Sequence, residues 1–267
     1  MAGMPRALTI AGSDCSGGAG IQADIKTFQR FEVYGQSVVT AVVAENTVGV
    51  QGVLAVPPEF VAMQIASCLT DVGADAIKTG MLVDAPTIMA VAAALRACTA
   101  CRLVVDPVMR AKGGDPLIDP DAVRILVAEI FPLARLVTPN VPEAEALVGA
   151  SLRTHDDFRQ AAETIRRMGP DIVLLKGGHS PVNPDGQSID FAWDGHTFQE
   201  FTGTRSSDRN THGTGCTLSA AITALLARGV EPFEAIARAK RYISAAIASA
   251  PGLGHGHGPV NHLAPAD

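Results

Sequence analysis

Asn210-Thr-His-Gly-Thr-Gly-Cys-Thr-Leu-Ser-Ala-Ala221 opens polar and glycine-rich, then turns into an apolar helical run from Leu218 to Leu226. Gly213 and Gly215 permit positive φ and let a ligand come close to the backbone. The first amides of a helix lack intrahelical acceptors, and the macrodipole places partial positive charge there. The stretch therefore reads as an anion hole, with N–H groups converging where a phosphoryl group could sit. The helix is expected to start near Cys216, which puts that thiol at the mouth of the hole with a lowered pKa. By itself the stretch fits an ordinary loop entering a core helix equally well.

Further polar residues stand where apolar strand-like runs end. The run Ala7–Ala11 leads into Gly12-Ser-Asp-Cys-Ser-Gly-Gly-Ala-Gly20, which holds four glycines in nine residues. This matches neither the Walker A pattern nor G-x-G-x-x-G, yet it is a glycine-rich strand-to-helix crossing. Asp24 falls in the first turn of the helix expected over Ile21–Phe31, where it serves the dipole or faces a ligand. Glu45 follows Ser37–Val43, a continuous apolar run of the kind found inside parallel sheets. A carboxylate at a buried strand end needs a partner. Asp106 ends the strand Leu103–Asp106. Asn140 and Glu143 follow the strand Leu136–Thr138, as a helix cap or as groups facing one way. Lys176 ends Ile172–Leu175, within reach of a phosphate or of solvent.

The elements that must position these residues alternate. Val53–Val56 and Asp75–Lys78 read as further strands, with helices starting at Pro57-Pro58-Glu59 and at about Pro86. Thr154–Met168 is a helix with a capping pattern at Thr154 and Asp157. Ser188–Trp193 and Thr197–Phe201 form a hairpin through Asp194-Gly195, and a last helix runs from Pro232 to about Ala250. The fold class is thus α/β: a doubly wound, mostly parallel central sheet with helices on both faces. Residues 1–267 are expected to form a single domain, since no linker or repeat interrupts them. Ligands bind beyond strand C-termini in such sheets, where all the candidates converge. Two acids, a lysine and an anion hole suit magnesium-assisted phosphoryl transfer.

Composition narrows the partners. The chain is 47% hydrophobic with a net charge of −6 and no basic block, which disfavours nucleic acid. No apolar run reaches membrane-span length, and the N-terminus lacks a signal-peptide layout. The five cysteines are odd in number and irregularly spaced, pointing to a reducing cytoplasm. Cys98-Thr-Ala-Cys101 reads as packing, with no second C-x-x-C pair. His255 and His257 in the tail point only weakly to metal.

The blocks Ala7–Asp14, Ser16–Asp24, Lys78–Leu82, Asp106–Met109, Thr138–Glu143, Lys176–His179, Asn210–Ser219 and Gly256–His262 occur in an order and spacing that resemble the hydroxymethylpyrimidine/phosphomethylpyrimidine kinases of thiamine biosynthesis, in the ribokinase-like superfamily. The resemblance implies ATP, Mg²⁺ and two successive transfers. The first goes to the alcohol of 4-amino-5-hydroxymethyl-2-methylpyrimidine, the second to its monophosphate. It implies that Gly213, Gly215 and Cys216 form the anion hole and carry the catalytic base, with Lys176 and Thr211 near the nucleotide phosphates. Asp106, Asn140 and Glu143 match the magnesium side. Gly12, Asp24, Glu45, Met81 and Val108 match the substrate side. Glu45 stands where glutamine is usual, at the position reading the pyrimidine edge. A homodimer is expected on family grounds. The rival readings are a pyridoxal/pyridoxine kinase on the same fold and a non-catalytic pyrimidine or nucleotide sensor. A dinucleotide-dependent oxidoreductase lacks its glycine fingerprint.

Overall fold

The computed structural model describes residues 3–98, 102–109, 118, 120–178, 180, 182–205 and 210–266. Cys101 and His179 lie outside these residues. Ten strands and eight α-helices are assigned among them. Eight strands form one sheet in the order β10-β9-β8-β7-β6-β5-β1-β2. Six run parallel: β1 (Arg6–Ala11), β2 (Tyr34–Val39), β5 (Ala76–Thr79), β6 (Arg102–Val105), β7 (Leu136–Val137) and β8 (Ile172–Leu175). The expected hairpin, β9 (Gln187–Trp193) and β10 (Phe198–Thr204), adds two antiparallel strands at one edge.

Strand alternation divides the core into two. Leu8, Ile10, Ile77 and Val105 face a cluster under α2 (Pro58–Asp71), α3 (Ala85–Arg96), α4 (Pro120–Glu129) and α6 (His155–Arg166). Ala7, Ala76, Val104 and Leu136 face the other cluster, under α1 (Gly20–Arg30), α7 (Thr214–Ala227) and α8 (Pro232–Ala248). Helix α7 is buried almost all round, which is why its sequence reads as apolar without a polar stripe. The capping box at α6 forms as expected, between Thr154 and Asp157.

One expected strand divides. The apolar run through Val43 leaves the main sheet at Thr40, whose hydroxyl donates to the Met81 carbonyl at 2.6 Å. Beyond it, β3 (Ala41–Asn46) pairs antiparallel with β4 (Gly49–Ala55) in a separate two-stranded sheet. Asn46 Oδ1 closes that turn by accepting from the Val48 amide at 2.9 Å. Glu45 is therefore a hairpin residue beside a bulge, not the end of a buried parallel strand. Val42 and Leu54, paired across this hairpin, are exposed by 54% and 71%. The packing reading of Cys98 is incomplete too: it packs against the core and is disulfide-bonded, which departs from the reading of the cysteines as those of a reducing compartment.

Candidate active site

A cleft of about 650 Å³ opens at the C-terminal ends of the parallel strands. Its anion loop ends at Gly213, the cap of α7, with φ 75°. A Cβ there would sit 1.8 Å from the Gly18 carbonyl oxygen, so only glycine fits the interlock of the two glycine-rich loops. The helix starts at Thr214, two residues earlier than the sequence suggests, so Cys216 lies in its first turn. The Gly215 and Cys216 amides have no acceptor among the described residues, as a helix start requires of an anion site. A Cβ on Gly215 would come 3.3 Å from Lys176 Nζ and 3.5 Å from Asp106 Oδ2. The anion loop and the charged pair therefore share one locus.

Strands β6 and β8 deliver that pair. Lys176 Nζ is 2.7 Å from Asp106 Oδ1. Asp106 also accepts from Thr138 Oγ1 at 3.3 Å and from Ser219 Oγ at 3.2 Å. Burial opposes ionisation of Asp106, but Lys176, Lys78 and these hydrogen bonds outweigh it and hold the carboxyl below its ordinary value. Lys176 is held charged by Asp106 and Glu143 despite its burial. Helix α5 (Val141–Val148) starts with a full capping box: Asn140 Oδ1 accepts from the Glu143 amide at 2.9 Å, and Glu143 Oε2 from the Asn140 amide at 2.8 Å. Both side chains still line the cleft. Burial, and then Asp106, push the Glu143 carboxyl up to about 7 against the pull of Lys176.

Gly12, Met81, Val108 and Glu45 line the other end of the cleft, and Thr211 lines the anion loop. A Cβ on Gly12 would meet Met81 Cε at 2.6 Å, so glycine makes room for the methionine. Burial, followed by the Asp14 charge, raises Glu45 to about 7. Asp24 departs from expectation. It is wholly buried and absent from the cleft wall, because its carboxylate is drawn inward by Lys78 Nζ at 2.8 Å and Thr9 Oγ1 at 2.6 Å. It therefore lies beneath the cleft wall and does not line it.

The lowered Cys216 pKa is likewise not found. Burial pushes the thiol up to about 11, and the Asp24 and Asp106 carboxylates reinforce this against Lys78 and the Gly20 amide. Desolvation, and then two neighbouring carboxylates, oppose the thiolate even in the first turn, where the helix dipole acts.

Sequence reasoning left Lys78, Asp14 and His212 unassigned. A lysine inside the apolar strand Ala76–Thr79 was the available signal for the first. Asp14 organises the first glycine loop, accepting from the Ser16, Gly18 and Ala19 amides at 2.7, 3.0 and 2.7 Å. His212 Nε2 stands 2.8 Å from the same carboxylate and ties the anion loop to it. Asp14, Glu45 and His212 are close enough to hold a metal ion. Asp14 takes four donors, one on Oδ1 and three on Oδ2, so the trio is read as a hydrogen-bonded brace. Asp106 is nearly saturated as well, with three donors on its two oxygens. Together with Glu143 it fits a small hard cation held through the cation's own waters, the habit of Mg²⁺.

An anion loop at a helix start, a lysine–aspartate pair at strand ends and a six-strand parallel core define a phosphotransferase of the ribokinase-like fold. The model of the phosphomethylpyrimidine kinase family matches residues 14–261, and the chain belongs to that family. It is 45% identical over 259 residues to the hydroxymethylpyrimidine/phosphomethylpyrimidine kinase of Bacillus subtilis, covering 97% of this chain and 95% of that one. It is 53% identical over 260 residues to the thiamine biosynthesis bifunctional protein ThiED of Geobacter sulfurreducens. That match covers 97% of this chain but spans 52% of the longer relative. Among solved structures, the pyridoxal kinase of Staphylococcus aureus in complex with AMP-PCP and pyridoxal is similar, with a TM-score of 0.89 and 37% identity. The match covers 98% of this chain and 95% of that one.

Proposed function

We propose that the chain, as one kinase domain, phosphorylates 4-amino-5-hydroxymethyl-2-methylpyrimidine with ATP and then phosphorylates the monophosphate. The observation that carries this reading is the meeting of the free α7 amides, Cys216 and the Asp106–Lys176 pair at one point of the cleft. In the first transfer the substrate hydroxyl gives its proton to the Cys216 sulfur. Its oxygen bonds to the γ-phosphorus as the bond to the ADP oxygen breaks. Lys176 and the Gly215 and Cys216 amides stabilise charge on the transferring group. Asp106, Asn140 and Glu143 would hold Mg²⁺, which neutralises phosphate charge when bound. The thiol is protonated in the empty cleft; it loses that proton to solvent once Lys176 and the bound cation neutralise the nucleotide charge, and the resulting thiolate is what takes the substrate's proton.

ATP consumption with the pyrimidine alcohol as acceptor tests this reading. The expected result is turnover with two equivalents of ATP per pyrimidine; no turnover at saturating ATP and Mg²⁺ contradicts it. A second reading, pyridoxal kinase, is favoured by the pyridoxal-bound structural relative. It predicts the higher kcat/KM for pyridoxal in the same assay.

The reading includes a homodimer in the cytoplasm. No helix among the described residues is long and apolar enough to cross a membrane. The paired, exposed Val42 and Leu54 of the β3–β4 hairpin support self-association through that face. Sedimentation of wild type and Leu54→Glu checks it, with loss of the dimer expected in the variant.

A further inference from the structure

The β8–β9 ladder ends at Leu175 and Phe191. Lys176 comes next, and the chain is gripped on both sides of it. Its own amide donates to the Pro139 carbonyl at 2.9 Å, beyond the end of β7. The residue after it is held by side chains. The Gly177 amide donates to Asp190 Oδ1 of β9 at 2.9 Å, and the Gly177 carbonyl accepts from Asn183 Nδ2 at 2.7 Å. A Cβ on Gly177 would lie 2.1 Å from the Ile189 carbonyl oxygen, so this turn is pressed directly against β9. Asp190 is fixed in its turn. Its Oδ2 is 2.8 Å from Nζ of Lys240 on α8, and that ammonium also donates to Ser188 Oγ at 3.1 Å. Both members of the pair are buried. Replacing such a pair by apolar side chains is often neutral or better for stability, so stability alone does not account for it. Its contacts lead instead to one place: from Lys240 through Asp190 and Gly177 to Lys176, whose Nζ reaches Asp106 at 2.7 Å.

Building on Lys176 as a contact of the nucleotide phosphates, we propose that Asp190 is a positioning residue for Lys176. Through the Gly177 amide it sets the direction in which the Lys176 side chain leaves the end of β8. Lys240 and Ser188 keep the carboxylate from turning away, and Asn183 holds the same turn by its carbonyl. The role requires no contact between Asp190 and the nucleotide. Ser188, Asp190 and Lys240 also line the cleft, so direct contact with the nucleotide's sugar or base is the competing account.

Equilibrium titration of the full chain with ATP and with AMP, both in the presence of Mg²⁺, tests the assignment without turnover. AMP lacks the β- and γ-phosphates, so it reports the sugar and base contacts and the general order of the cleft. An asparagine has one acceptor oxygen and cannot serve both Gly177 and Lys240. Asp190→Asn is therefore expected to weaken ATP binding by about tenfold, the scale of one hydrogen bond to a charged group, with AMP affinity unchanged. In a Lys176→Met background the same substitution is expected to cost no further ATP affinity, whereas independent losses add. Equal loss for both nucleotides, an ATP loss that persists in the Lys176→Met background, or unchanged ATP affinity overturns the proposal. If Asp190→Asn does not fold, Asn183→Asp decides by the same contrast, because it sets a carboxylate oxygen against the Gly177 carbonyl. A wrong acceptor substrate leaves this binding contrast intact and shows only in the turnover assay. Wild type binding ATP no more tightly than AMP overturns both the proposal and the kinase reading.

Discussion

Position 45, where the resemblance led to an expectation of glutamine, carries an ionisable glutamate, and its surroundings place that group in the physiological range. Burial and the nearby Asp14 charge raise it to about 7. Below that pH the carboxyl is protonated and can donate as well as accept; above it the group only accepts. An aminopyrimidine offers an exocyclic amine that donates and a ring nitrogen that accepts unless protonated. Its KM is therefore expected to change between pH 6 and 8 in wild type and to flatten in Glu45→Gln, as steady-state kinetics across that range would show. Stability follows with a definite sign. The folded pKa is above the unfolded one, so the stabilising contribution is full below the unfolded value and is lost as pH rises through about 7. Thermal unfolding should thus show Glu45→Gln gaining on wild type between pH 5 and pH 8. At this scale the sequence disclosed which residue types gather, because acids and lysines at strand ends are unusual. It did not disclose their ionisation. The dipole argument for Cys216 omits Asp24 and Asp106, which are 192 and 110 positions away in the chain and meet the sulfur only through the fold.

The loop before α7 and its helix form the element on which the proposed chemistry depends. Gly213 combines φ 75° with a Cβ position 1.8 Å from the Gly18 carbonyl oxygen. Gly213→Ala must both strain the backbone and separate the two glycine loops. A loss of about 1–3 kcal/mol of stability is expected from the backbone alone. Urea unfolding measures that loss, and nucleotide titration should show weakened ATP binding in the same variant. Unchanged values in both would show that the loops are not interlocked in solution. Elements with a local signal were legible: the α6 capping box, the β9–β10 hairpin and the proline-led helices need only neighbouring residues. The division of Ser37–Val43 was not. An apolar run gives no sign of where it changes sheets, and the Thr40 hydroxyl that fixes the bend finds its acceptor at Met81. Asn140 and Glu143 show the reverse case, in which both sequence readings coexist. They cap α5 and line the cleft at once.

Over the whole molecule, the cleft exists because six parallel strands end on one edge and the two glycine-rich loops close over them. Asp14 and His212, from opposite ends of the chain, clamp those loops together. The tail joins the same clamp: the His212 amide donates to the Gly258 carbonyl at 3.1 Å, and the His257 amide to the Thr47 carbonyl at 2.8 Å. The β3–β4 hairpin and the loop before α7 are thereby braced by one segment. The alternating strand and helix pattern made this architecture readable, while the clamp, built from contacts distant in sequence, was not. The central claim is that this assembly uses the Cys216 sulfur to take the substrate's proton. Single-turnover phosphorylation of the pyrimidine alcohol by Cys216→Ser, with ATP affinity measured alongside, tests it most directly. A positioned base contributes roughly 10²–10⁴-fold, so the rate should fall by about 10²-fold or more with ATP affinity unchanged. A rate near that of wild type would contradict the claim and leave catalysis to the amides, Lys176 and the bound cation.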